Sequence, residues 1–82
     1  MSRRDIPWSH RLDVTLRAGM DRTFRSVYEA LDFLENEWPL KSGEYYDRAV
    51  LACRQALNGL APSETAREAF IAACLEAGMP AR

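Results

Sequence analysis

Few side chains in this sequence are of types that do chemistry, and fewer are spaced to do it. His10 is the only histidine and stands alone, so no base is paired with a nucleophile through a recognisable motif. Cys53 and Cys74 are 21 positions apart inside alanine-rich, helix-periodic stretches. They lack the close spacing of a zinc site or redox pair and read as small core residues. Glu29, Asp32, Glu35 and Glu37 recur at helical spacing without a calcium-loop pattern, which describes a solvated helix face. Tyr45, Arg54 and Arg67 would form a polar ligand pocket only if two helices diverged at one end. No catalytic residue, metal ligand or cofactor site is expected.

Charge narrows the partners. Eleven Lys and Arg against twelve Asp and Glu leave a net charge of -1, so no global field attracts nucleic acid or an anionic membrane. Binding to nucleic acid would have to be local, and the candidate contacts are Arg11, Arg17, Arg22 and Arg25, with the Arg3-Arg4 pair in support. Asp13 and Asp21 partly offset them. All basic residues but Lys41 are arginine, which suits carboxylate and phosphate contacts but also follows from coding bias. No window approaches the roughly 18 apolar residues of a membrane span, and no apolar run follows the basic start, so a reduced, cytoplasmic protein is expected.

The elements that must position these residues are legible in part. At 82 residues the chain has room for one domain, and such a domain buries only about 60% of its unfolded surface, so every large apolar side chain matters. Residues 1–9 lack periodicity and read as a flexible arm whose Trp8 docks on the body; residues 10–79 form the domain and 80–82 a tail. Leu12, Val14 and Leu16 alternate with Arg11, Asp13 and Thr15 as in a half-buried strand. Gly19 lies in the turn, and Arg22 to Arg25 return, completing a β-hairpin. A hairpin alone is marginal in water, so it must lie on helices or add its edges to another sheet.

Ser26-Val27-Tyr28-Glu29 is a capping box opening the first helix. Its apolar stripe is Val27, Ala30, Leu31, Leu34 and Trp38, with Tyr28 and Phe33 off the stripe; Pro39 stops it. The central helix runs from about Gly43 to a Gly59 cap, with Tyr45, Tyr46, Ala49, Val50, Ala52, Cys53, Ala56 and Leu57 in its apolar arc. Ser63 is expected to cap the third helix, which runs to Ala77 and ends at Gly78. Its small residues invite close packing, Ala66 and Ala73 against Ala49 and Ala56, with Phe70 beside them. A helix-turn-helix reading fails on its outward residues, Glu64, Thr65, Glu68, Ala72 and Glu76, which repel phosphate. The predicted fold is α+β, ββααα in order.

That order, with Ser26-x-x-Glu29-Ala30, Trp38-Pro39, Gly43, Ala49, Cys53, Ala56-Leu57, Gly59, Ala66-Arg67, Ala69-Phe70-Ile71 and Glu76-Ala77-Gly78, resembles domain-of-unknown-function family 982 over roughly residues 11–79. The resemblance implies the ββααα arrangement and a bacterial source, found mostly in alphaproteobacteria. It carries no activity, cofactor or catalytic residue.

Leu51 falls among Asp47, Arg54 and Asn58, and Ile71 and Leu75 beside Glu64 and Glu68. Large apolar residues on polar faces mark a surface that a monomer seldom leaves bare. If the third helix is sandwiched between hairpin and central helix, Ile71 and Leu75 are core instead, and that arrangement is preferred. The functional expectation is a non-enzymatic interaction module that binds itself, as a homodimer, or another protein through Leu51, Arg54, Ile71 and Leu75. The alternatives are a nucleic-acid-associated regulator using the hairpin arginines and a ligand site at Tyr45, Arg54 and Arg67.

Overall fold

A computed structural model describes residues 5–39 and 42–82; the Arg3-Arg4 pair lies outside them. Strand β1 (Pro7–Thr15) and strand β2 (Asp21–Ser26) form an antiparallel hairpin, followed by helices α1 (Val27–Asn36), α2 (Glu44–Leu57) and α3 (Ser63–Glu76). This is the expected ββααα, α+β architecture. The Leu12↔Phe24 and Val14↔Arg22 pairs set the register, and Leu16 and Met20 flank a loop in which Gly19 takes φ 87°. Leu12, Val14 and Phe24 face the helices and are buried, as the alternation requires.

β1 starts four residues before the expected strand. The register shifts between Pro7 and Leu12, a bulge that leaves Ser9, His10 and Arg11 all exposed and hides the period-2 signal. The arm expected over residues 1–9 is therefore partly strand. Trp8 is buried, its indole Nε1 donating to the Ser63 carbonyl at 3.0 Å. Residues 80–82, expected as a tail, lie along β1. Ala81 bridges Val14, and Asp13 and Arg82 exchange two backbone hydrogen bonds of 2.9 Å, so the segment closes the outer edge of β1.

Capping explains where the helices begin and end. Ser26 Oγ accepts from the Glu29 N–H, while Glu29 Oε1 accepts from the Arg25 N–H at 2.7 Å, one residue earlier than in the usual box. Asp5 Oδ1 adds a second acceptor for the first turn, at the Tyr28 N–H. α2 and α3 end alike. Leu60 N–H donates to Gln55 O and Met79 N–H to Cys74 O, over Gly59 and Gly78 at φ 76° and 78°, each a Schellman closure. Pro62, not Ser63, occupies the N-cap position of α3 and makes no side-chain bond there.

The core is aromatic at its centre and small-residue at its helical seam. Phe70 sits among Phe24, Phe33, Trp38 and Trp8, with ring centroids 5.0, 6.3, 6.3 and 6.5 Å away. Ala49, Ala56, Ala66 and Ala73 are all buried, letting α2 and α3 form the most extensive helix pair. Phe33 corrects its expected off-stripe position: it is buried, because α1 also packs against Phe24 of β2, which widens its inward face. Tyr45 corrects in the other direction. It is 39% exposed, with the Arg48 guanidinium 5.6 Å from its ring centroid.

Candidate functional site

The residues of the expected interaction surface do not form one patch. On α2 the buried stripe of Ala49, Ala52, Cys53, Ala56 and Leu57 leaves Leu51 about 180° away, in the middle of the polar face and 57% exposed. Arg54 leans toward α1, where it forms a 2.5 Å ion pair with Glu35. On α3 the buried residues Ala66, Phe70, Ala73 and Cys74 put Leu75 on the far side, 56% exposed. The sandwiched arrangement is thereby corrected for Leu75. β1 packs on α3 at Ser63, Arg67 and Phe70, too far round the helix to cover it.

Ile71 is half-buried against the core, and Ala72 is half-buried. Ile71, Ala72 and Leu75 share one arc of α3, at i, i+1 and i+4, with Glu64, Glu68 and Glu76 exposed around them. This is a narrow apolar strip with an acidic rim. Leu51 lies on another helix, separated from it by the polar residues of α2.

The hairpin arginines divide between two faces. Arg22 lies on the core side, opposite Val14, with its guanidinium 5.2 and 5.1 Å from the Phe24 and Phe33 ring centroids and 2.8 Å from Glu37. It lids the aromatic cluster. Arg11 is on the outer face beside Asp13, at 3.6 Å, where Thr23 donates to Asp13 and Thr15 to Asp21. Arg17 is in the turn and Arg25 is exposed near the end of β2. The outer face of the sheet is thus a mixture of both charges and hydroxyls rather than a basic ribbon.

Tyr45, Arg54 and Arg67 are not brought together. Tyr45 and Arg54 are nine residues apart on α2, about 180° around it. Arg67 reaches β1, donating through Nη2 to the Arg11 carbonyl at 3.2 Å, with Nε buried and without a partner among the described residues. Both thiols are buried and free, and burial pushes each up to about 12, with the Glu35 carboxylate adding to the shift at Cys53. Neither is a thiolate near neutral pH. Among the described residues no three His, Cys, Asp or Glu side chains gather as a metal site, and no helix is long and apolar enough to cross a membrane.

Sequence reasoning did not find the open edge of β2. A depression of about 260 Å³ lies between it and α1, lined by Arg22, Thr23, Phe24, Tyr28, Glu29 and Asp32. The available signal was the hairpin itself, which needs both edges covered or shielded.

A model of the family described as Protein of unknown function (DUF982) matches residues 12–81. The NMR structure of the Agrobacterium tumefaciens protein Atu1219 is similar to this one, with 38% sequence identity and a TM-score of 0.76, over 89% of this chain and 73% of that chain. No curated protein matches the chain.

Proposed function

The chain belongs to the DUF982 family, and from its surface we propose that it is a non-enzymatic protein-interaction module of the cytoplasm, docking a partner protein on the outer strip of α3. One observation carries the proposal: Leu75 is 56% exposed and continuous with half-buried Ile71 and Ala72, with Glu64 and Glu68 next along the same face and Glu76 on one flank. Fully burying a side chain such as Leu75 gains about 1.5 to 3 kcal/mol, and an apolar centre with a charged rim is the usual anatomy of an interface. The rim of Glu64, Glu68 and Glu76 suits a partner with a basic border. Two free, buried thiols are compatible with a reducing compartment.

The test is cross-linking of the full chain in lysate of its source cell, with mass spectrometry locating the cross-linked positions. Leu75→Glu is expected to remove the partner cross-linked near α3, with the helical circular dichroism unchanged. Leu51→Glu, on the separate face of α2, should retain it. A Leu75→Glu protein that is folded and keeps every partner overturns the proposal, as does a wild-type protein cross-linked only at faces remote from α3.

A further inference from the structure

The two edges of the sheet are treated differently. The outer edge of β1 is closed by residues 80–82, through Asp13, Thr15, Pro80 and Arg82, while among the described residues no strand pairs with the outer edge of β2. Asp13 and Thr15 spend their backbone groups on that closing segment, so it is Leu12 and Val14 that bond to Phe24 and Arg22. Antiparallel alternation then turns the N–H and C=O groups of Asp21, Thr23 and Arg25 outward. The Arg25 N–H is found there, donating to Glu29, and Thr23 lines the depression beside α1.

We propose that this edge pairs with a second copy of the chain, β2 against β2, antiparallel about a two-fold axis at Thr23. The sequence Asp21-Arg22-Thr23-Phe24-Arg25 is self-complementary about its centre. Thr23 exchanges reciprocal backbone bonds with Thr23 of the second copy, and Asp21 and Arg25 of the second copy form the next such pair, the Asp21 carbonyl replacing Glu29 Oε1 as acceptor of the Arg25 N–H. Asp21, Thr23 and Arg25 share the outer face of the sheet, so each Asp21 carboxylate stands opposite an Arg25 guanidinium. Arg25 has no ion pair among the described residues, and Asp21 accepts only from Thr15, at 2.9 Å.

Charge also selects the register. Shifting the axis to Asp21 or to Arg25 sets that residue against its own copy, a like-charge pair that destabilises an antiparallel ladder. On the inner face, Arg22 of the second copy stands opposite Phe24, its guanidinium staying over its own Phe24 and Phe33 and beside Glu37. A two-fold contact of this kind closes on itself, so the product is a dimer and not a filament.

Sedimentation equilibrium of the full chain, over a concentration series up to about 1 mM, is expected to show a reversible dimer. Arg25→Asp or Asp21→Arg alone should raise the dimer dissociation constant about tenfold or more, because each sets like charges face to face at two symmetric places. The double variant Asp21→Arg, Arg25→Asp restores the opposite-charge pairs and should recover the dimer. Thr23→Pro removes an outward donor that the hairpin ladder does not use, and should give a monomer. Leu75→Glu leaves this dimer unchanged, which keeps the result independent of the α3 strip. A wild-type monomer throughout overturns the proposal. So does a dimer indifferent to the single reversals, a folded double variant that fails to recover, or a dimer lost in Leu75→Glu.

Discussion

Phe70 is the residue on which the core converges, because it is the one ring that reaches both strands of the hairpin and α1. It touches Trp8 of β1, Phe24 of β2, Phe33 of α1 and the indole of Trp38, and it is fully buried. Removing it leaves those rings without a common neighbour, and a domain of this size has few other large side chains with which to refill the space. Phe70→Ala is expected to cost about 3 to 5 kcal/mol, read from the shift of a urea midpoint at constant slope, and a chain that is marginal to begin with then populates the unfolded state. Phe70→Leu should cost distinctly less. Arg22 makes the opposite point: a charged residue, placed by the register on the inner face, shields Phe24 and Phe33 with its guanidinium and answers to Glu37 outside.

At the scale of elements, the C-terminal segment acts as a third strand. The Schellman closure at Gly78 turns the chain out of α3, Met79 is buried as an anchor, and Pro80 to Arg82 then lie along β1. Deleting residues 80–82 exposes the Asp13 and Thr15 N–H groups, which at present donate to Arg82 and Pro80 carbonyls at 2.9 Å. Each lost bond is worth about 0.5 to 1.5 kcal/mol net. The expected outcome is a lower melting temperature together with faster amide exchange at Asp13 and Thr15, while the Leu12 and Val14 amides, bonded toward β2, exchange more slowly. Equal exchange at all four would mean that the segment does not hold the edge.

For the whole molecule, the two thiols link stability to alkaline pH. Their pKa values rise from an ordinary 9.0 to about 12 on folding. Between those values the unfolded chain releases thiol protons that the folded chain retains, so the stabilisation is complete below about pH 9 and is lost as pH rises toward 12. Each thiol contributes a loss of about 1.4 kcal/mol per pH unit within that window at most. Denaturant titrations at pH 8 and pH 10 should show lower stability at pH 10, and the difference should shrink in the double variant Cys53→Ala, Cys74→Ala. A pH dependence unchanged by those substitutions would place its origin in other groups.

What the sequence determined by itself is what neighbours along the chain decide. The alternation of Leu12 and Val14, the Ser26 and Glu29 capping box, the Gly59 and Gly78 terminations and the alanine seam of α2 and α3 all rest on local backbone preference and side-chain period. They sufficed for the ββααα order. The tertiary structure alone decided what depends on the rotation of one element against another and on contacts between distant segments. Whether Phe33 is core turns on how α1 is rolled about its axis, since Phe33 lies at the border of its stripe, whereas Tyr45 falls within the apolar arc of α2 but in its first turn, where the helix end leaves it partly exposed. Leu75 is exposed because β1 packs on one flank of α3 and nothing in the helical period says which flank. The pairing of Ala81 with Val14 joins residues 67 positions apart, and the bulge at residues 8–11 erases the period that would have announced the start of β1. Of the candidate sites, Leu75 was legible as an apolar residue on a polar face. The open edge of β2 was not, because an edge is a property of the assembled sheet.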